Sequence, residues 1–421
     1  MRSLAERLEQ QQKSHPSAID LTLTRVREVA RRLDLLSPDA SVITVAGTNG
    51  KGSTVAYLDS ALRATGRRVG RFTSPHLARY NERICVAGVE TADAELLTAF
   101  DRIDAARGDI TLTFFEYNAL AALVVFERAR VDFAVLEVGL GGRLDATNII
   151  DADVGIVCSI GLDHVDWLGS SLEQIGREKA GIFRSARPAI LGSAVLPASV
   201  EAYAREIGAV PVFAERDFRA RRKGESWDFE SDRLTLRNLP LPALRGEHQI
   251  GNAANALAAL AFGDFDLALN ERSVGVSLRA VQVAGRFQVV PGEIEWVFDV
   301  AHNVPAAHVL SANLHTLPRR RTLAVCGILA DKDIRGICHA LETDIDAWFL
   351  TALAGPRALS TAQLAAQLPS GAQILAQSTD VASACRAARA AANPGDRIVV
   401  FGSFLTVGPA LEFLESEFVR L

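Results

Sequence analysis

The sequence predicts an α/β protein of two units, and three observations carry that prediction. A run rich in β-branched apolar residues (Val42, Ile43, Val45, Ala46) leads into a glycine-rich turn, Gly47 to Gly52, and then into a helical pattern opened by Ser53. Short apolar runs alternate with helix-length segments along most of the 421 residues, as strands and covering helices do in an α/β protein. The series restarts after GRFQVVPG (285–292), which gives a large unit over residues 1–284, a linker over 285–292 and a smaller, Rossmann-like α/β unit over 293–421.

Taken in order, residues 1–40 read as helical, with Val26, Val29, Ala30 and Leu33 at helical spacing, Asp20 as the N-cap and Pro38 as the stop. The stretch SVITVAGTNGKGST (41–54) then reads as strand, turn and helix start. Three glycines let backbone N–H groups close on phosphate oxygens at a helix N-terminus, and Lys51 covers the outer phosphates. This is a P-loop reading, with one departure: Gly52 stands where the metal-binding hydroxyl normally follows the lysine. A metal therefore needs an oxygen from elsewhere.

After the helix Ser53 to Thr65, the strand Val69 to Phe72 runs into TSPHLARYNERI (73–84), where Ser74, Pro75, His76, Asn81, Glu82 and Arg83 crowd one loop. Helices follow over Ala92 to Ala106 and Phe115 to Ala129, the second with Glu116 at its start. VDFAVLEV (131–138) is a strand carrying Glu137 at its tip, just before GLGGRLDATN; VGIVCSI (154–160) is another, leading to Asp163 and His164. If these strands neighbour the P-loop strand in a parallel sheet, both tips lie beside the loop. On the helix Glu173 to Ile182, spacing alone reads Lys179 as a solvated lysine beside Glu178. Residues 216–245 suggest a small antiparallel excursion before a helix over His248 to Leu260. In the smaller unit, strands over 294–299, 322–326, 346–350 and 397–401 end in DVAHN, CGILADKD, TALAGPRA and GSFLTVG, and no GxGxxG is present.

Composition narrows the class. Lys plus Arg (45) nearly balances Asp plus Glu (50), which leaves no basic footprint for nucleic acid or an anionic membrane. Five scattered cysteines without CxxC spacing argue against a metal knuckle or a disulfide framework and suit a reducing cytoplasm. No run of 18 apolar residues occurs and the N-terminus has no apolar signal core, so a soluble cytoplasmic protein is expected.

Twelve stretches in order, GTNGKGS, TSPHL, NERI, FFE, EVGLGGRLDATN, GLDH, EKAGI, GEHQIGNAANA, GRF, DVAHN, DKD and GSFLTVG, closely resemble folylpolyglutamate synthase and the bacterial bifunctional dihydrofolate synthase, members of the Mur ligase superfamily. The resemblance implies a Mur-ligase-type P-loop domain followed by a smaller C-terminal domain. It also implies ATP-dependent joining of L-glutamate through an acyl phosphate, to dihydropteroate and to tetrahydrofolates, with a monofunctional folylpolyglutamate synthase as the alternative. Gly50, Lys51, Gly52 and Ser53 would hold the ATP phosphates, with Asn252, Arg286 and Asp299 completing the nucleotide contacts. Ser74 and Glu137 would bind a first Mg²⁺, and Glu137, His164 and Lys179, the last carbamylated to N6-carboxylysine, a second. Thr113, Phe114, Phe115, Glu116 and Leu144 match pteroate contacts. Asp20, Leu21 and Thr22 match a second pterin segment, in which IDLTLTRV departs from the family's IDLGLERV at Thr22 and Thr24. His302 and Ser403 are candidates for the incoming glutamate, and a monomer is expected.

Two other readings compete. A ligase acting on a peptidoglycan nucleotide precursor would need an extra N-terminal domain, for which about 40 residues before the P-loop strand are too few. A P-loop switch protein would leave DVAHN and GSFLTVG without a role, and the guanine-reading NKxD motif is absent.

Overall fold

The computed structural model describes residues 3–17, 19–355 and 357–418. It divides into two compact units. The first holds the chain before Leu77 with Asn81–Ala243 and His248–Val281; the second holds Gln282 onward with Leu77–Tyr80 and Leu244–Glu247.

The first unit is built on an eight-stranded sheet: β1 (Ser41–Ala46), β2 (Val69–Phe72), β3 (Ile84–Val86), β4 (Val89–Glu90), β5 (Phe133–Glu137), β6 (Val154–Val157), β7 (Pro188–Leu191) and β8 (Val210–Phe213). Their spatial order is β4-β3-β2-β5-β1-β6-β7-β8. Pairings from β2 to β8 are parallel, and β3 and β4 add an antiparallel edge. β1 and β5 have near-continuous apolar runs because both of their faces are covered. β1 lies between β5 and β6, as the expected parallel sheet requires.

The excursion expected near 216–245 is a three-stranded antiparallel sheet: β9 (Phe218–Lys223), β10 (Ser226–Ser231) and β11 (Thr235–Pro240). Trp227 and Phe229 of β10 are fully buried, and so is Asp228 between them. That carboxylate is held by Lys223 Nζ at 2.5 Å, Arg237 Nη1 at 3.0 Å and the Asn238 amide at 2.8 Å.

The second unit has a six-stranded sheet: β12 (Gln288–Val290), β13 (Glu295–Phe298), β14 (Thr322–Cys326), β15 (Ala347–Thr351), β16 (Ile374–Ser378) and β17 (Arg397–Phe401), in the order β12-β13-β17-β14-β15-β16. Alternate residues feed opposite cores. Val399 and Phe401 join Val297, Cys326 and Trp348 on one face, while Ile398 and Val400 join Phe298, Val325 and Phe349 on the other. Five buried free cysteines occur among the described residues, two in the first unit and three in the second.

Three expectations are corrected. Residues 285–292 are not a bare linker, because β12 pairs antiparallel with β13 and extends the second sheet. Asp20 does not cap the following helix, Thr24–Arg32, whose N-cap is Leu23 with no side-chain bond; its carboxylate turns to Arg25 Nη1 at 2.8 Å, a charge-assisted contact that outcompetes a cap. The P-loop helix opens at Lys51 rather than Ser53. Strands β7, β8 and β16 and the helix Ala198–Glu206 were not anticipated.

The Lys223 hydrogen bond, aided by the Asn238 amide and Arg237, holds the Asp228 carboxyl down to about 2 from an ordinary 3.8. A depressed carboxylate stabilises the fold above its ordinary range and loses that contribution as pH falls through its folded value. Asp228→Ala should cost about 1–3 kcal/mol at neutral pH, read by urea denaturation, with the difference from wild type shrinking in acid.

Candidate active site

The site begins where β1 ends. Gly50 takes a left-handed φ of 88° as N-cap of the helix Lys51–Ala64, and a Cβ there would lie 2.6 Å from Asn252 Oδ1. The turn therefore needs glycine for both conformation and space. Thr48 and Asn49 are tied to the chain beyond β6: Thr48 N donates to Ser159 O (2.8 Å), Gly161 N to Thr48 Oγ1 (2.9 Å) and Asn49 N to Ser159 Oγ (3.1 Å). Lys51 Nζ lies over the loop, donating to the carbonyls of Gly47 and Thr48 at 3.0 and 3.2 Å. Below it, Cys158 Sγ sits 3.4 Å from Thr54 Oγ1, and burial pushes its thiol up to about 11.

Asn252 comes to the loop on the helix His248–Phe262. Gln249, one turn earlier and buried, accepts from Asn252 Nδ2 (3.1 Å) and Tyr57 Oη (3.4 Å) and donates to Ser53 Oγ (3.4 Å). It joins two expected nucleotide residues and was missed in the sequence, where an amide inside GEHQIGN carries no signal of its own.

Glu137 ends β5, in register with Val45 of β1, and is buried. Its Oε2 accepts the backbone N–H of Ser74 at 3.1 Å, so the two residues expected to share a metal are together. A hydroxyl and a carboxylate are hard oxygen donors of the kind Mg²⁺ takes, and Mg²⁺ commonly keeps several waters and binds through one or two carboxylates plus phosphates. Among the described residues, no group of three or more His, Cys, Asp and Glu side chains is arranged to hold a metal ion.

The glycine loop after β5 is organised by Asp145, another residue given no role in the sequence. Its buried carboxylate accepts from the amides of Gly139 (3.0 Å), Leu140 (2.9 Å) and Thr147 (2.9 Å) and from Thr147 Oγ1 (2.6 Å). Burial nevertheless raises its pKa. Leu144 lies in this loop, half-buried. A Cβ on Gly142 would meet the carbonyls of Glu178 and Lys179 at 2.8 Å, so the loop is pressed against the end of the helix Leu172–Ala180.

That contact bears on Lys179. The solvated reading is wrong: Lys179 is 6% exposed, and burial, reinforced by the Lys51 charge, lowers its pKa from 10.5 to about 7, against the opposing pull of Asp163 and Asp145. At and above neutral pH much of this amine is uncharged and nucleophilic. His164 is the left-handed N-cap (φ 52°) of a short helix, Val165–Leu168, with Nε2 4.0 Å from Asp163 Oδ1.

Among the residues expected to meet the pterin, Thr113 caps the helix Phe114–Ala129 in a reciprocal box with Glu116. Phe115 lies 5.9 Å from the Phe72 ring, and Phe114 lies under Arg83, whose guanidinium is 5.6 Å from its centroid. Arg83 Nε donates to His76 Nδ1 at 2.7 Å, and burial with the Arg83 charge lowers His76 to about 4, so the ring is a neutral acceptor. Asp20, Leu21 and Thr22 lie in the irregular chain before Thr24–Arg32.

In the second unit, β13 and β17 are parallel neighbours whose carboxyl ends lead to Asp299, His302 and Ser403, while Arg286 lies just before β12. Asp299 accepts from the amides of Phe287 (2.9 Å) and Ala301 (2.8 Å). Arg286 lies 5.3 Å from the Phe404 centroid, and the His302 ring 6.2 Å from it. His302 Nδ1 is 2.8 Å from Val300 O, and Ser403 Oγ accepts from Leu405 N at 3.1 Å.

A P-loop on a parallel sheet with an acidic strand tip beside it, followed by a second α/β unit, defines a Mur-type ligase. Residues 45–262 match the family described as Mur ligase middle domain, and residues 285–404 the one described as Mur ligase, glutamate ligase domain. The dihydrofolate synthase/folylpolyglutamate synthase of Escherichia coli (strain K12) is 45% identical over 403 residues, spanning 96% of this chain and 93% of the relative. The solved E. coli FolC in complex with DHPP and ADP has a TM-score of 0.93 at 44% identity and covers 99% of both chains. A bifunctional folylpolyglutamate synthase/dihydrofolate synthase with Mn, AMPPNP and L-glutamate bound gives 0.91 at 42% identity, with 99% and 98% covered. The chain belongs to the dihydrofolate synthase/folylpolyglutamate synthase family of Mur ligases.

Gly50→Ala adds a methyl where φ is left-handed and Asn252 Oδ1 is in contact. It should weaken ATP binding about tenfold or more in calorimetry, since left-handed strain of about 1–3 kcal/mol falls on the loop itself.

Proposed function

We propose that this chain is an ATP-dependent carboxylate–amine ligase that joins L-glutamate to dihydropteroate and extends the glutamate tail of tetrahydrofolates. The observation that carries the reading is the tip of β5, where buried Glu137 meets Ser74 on the strand next to the P-loop strand. The γ-phosphoryl group of ATP passes to the substrate carboxylate, giving an acyl phosphate and ADP. The glutamate amine then attacks the acyl carbon, the C–O bond to phosphate breaks, and the amine proton is released. Such a reaction needs positioning and charge neutralisation rather than a protein nucleophile.

In this reading the amides of Gly50, Gly52 and Ser53 cradle the phosphates, and Lys51 exchanges the carbonyls of Gly47 and Thr48 for phosphate oxygens. Ser74 and Glu137 would hold one Mg²⁺, and Glu137, His164 and carbamylated Lys179 a second. Mg²⁺ bound there would offset charge on the transferring phosphoryl group. The neutral Lys179 amine suits carbamylation: its Nζ bonds the carbon of CO₂ and loses a proton, leaving a carboxylate. Asn252, Arg286 and Asp299 are assigned to the nucleotide, and His302 and Ser403 to the incoming glutamate. Thr113 to Glu116, Leu144 and Asp20 to Thr22 are assigned to the pterin side. We take the enzyme to act as a monomer in the cytoplasm; among the described residues no helix is long and apolar enough to cross a membrane.

The test is phosphate release with Mg²⁺-ATP and L-glutamate, offering dihydropteroate and tetrahydrofolate separately and identifying products by mass. Turnover with both is expected; silence with both, from folded protein that binds ATP, overturns the reading. Glu137→Ala should lower turnover by at least about 10³-fold without loss of the cooperative melt. Lys179→Met should lower turnover at least about a hundredfold, and ¹³CO₂ should give the wild-type protein, but not this variant, a carbamate carbon resonance.

A further inference from the structure

The pterin-side residues come from two separate segments, joined by side-chain hydrogen bonds. The segment before Thr24–Arg32 has no sheet partner, so side chains must hold it. Ser14 Oγ donates to Leu112 O (2.7 Å), His15 Nδ1 lies 2.9 Å from Thr111 Oγ1, and His15 Nε2 lies 3.3 Å from Asp20 Oδ2. Arg25, in the first turn of that helix, closes the arrangement. Its Nη1 donates to Asp20 Oδ2 at 2.8 Å and its Nη2 to Glu116 Oε1 at 3.3 Å, 91 positions along the chain. Glu116 is 3% exposed, and its Oε2 accepts the Thr113 amide at 2.7 Å.

We propose that Arg25 is a positioning residue for the pterin end of the substrate: one planar guanidinium clamps the Asp20–Thr22 segment onto the Thr113–Glu116 turn and sets the spacing between them. The inference rests on the pterin-side assignment above. Without the cation, two carboxylates face each other and one of them is buried, so Glu116 must leave the Thr113 amide or Asp20 must swing away. Charge alone does not replace the clamp. A lysine is a point charge on a flexible stem, whereas the guanidinium presents two donor edges in a fixed plane. The hydrogen bonds that tie Asp20, Arg25, Thr113 and Glu116 together run among pterin-side residues of the first unit, so their effect falls on that substrate.

The experiment is steady-state kinetics of the full chain, wild type against Arg25→Lys and Arg25→Met, varying dihydropteroate, ATP and L-glutamate in turn. The KM for dihydropteroate should rise about tenfold or more in both variants, with kcat and the other two KM values within about twofold. The Lys variant should keep the wild-type melting temperature. A Lys variant with wild-type KM for dihydropteroate overturns the clamp, because charge alone then suffices. A joint rise of all three KM values with a lowered melt in both variants also overturns it, by showing a general structural role. A wild-type protein that turns over tetrahydrofolate but not dihydropteroate, or neither, overturns the substrate assignment on which the clamp rests and the clamp with it.

Discussion

Parallel pairing of β1 with β5 on one side and β6 on the other is the constraint on which the site depends. Parallel strands in this register bring their carboxyl ends to one edge, so three loops far apart in sequence are forced into one place. The turn after β1 supplies the glycine-rich anion cradle. The last residue of β5 supplies the carboxylate, and the chain after β6 supplies Ser159 and Gly161, which fix the cradle by hydrogen bonds. A register shift of one residue in β5 would turn Glu137 to the other face and leave the cradle without an acid.

Around that edge the unit tolerates several groups that burial disfavours. Lys179 is pressed under the loop organised by Asp145, where burial and the nearby Lys51 charge disfavour its protonated form, and Asp145 is itself buried. An apolar residue in place of Asp145 would leave the amides of Gly139, Leu140 and Thr147 without their acceptor, so the buried carboxylate is kept for the hydrogen bonds it takes. What the polar arrangement provides is a set of groups held in place by the fold rather than by solvent, the kind of preorganisation on which electrostatic catalysis draws. The small antiparallel sheet handles a buried carboxylate differently, surrounding Asp228 with two cations and an amide so that it stays ionised.

Much of this was legible in the sequence, and the exceptions have physical reasons. The P-loop, the Glu137 tip and the helix that opens after Thr113 could be read because each is a local pattern of apolar run, turn residue and charge. β8 and β16 could not: β8 contains Pro211 at a sheet edge, and β16 is half-exposed along its length, so neither shows the apolar run of a central strand. Spacing alone misreads Lys179 because it carries no information on a glycine loop packing over it from 37 positions away; Gly142, with no side chain, is what permits that burial. Arg25, Asp145 and Gln249 escaped for a related reason. Each acts by joining segments, and a joint is invisible until the segments are placed.

The placement of sulfur in the molecule has a further consequence. The thiols of Cys85 and Cys158 lie buried in the first unit and those of Cys326, Cys338 and Cys385 in the second. Cys158, beneath the P-loop, is held protonated as well as sheltered. A thiol reagent meets these sulfurs through openings of the fold, so the molecule carries an internal clock in each unit, and the two can be read separately on one peptide map. With nucleotide bound, slower ticking at Cys158 than at the sulfurs of the other unit would reveal how far the stiffening of one loop spreads through the chain.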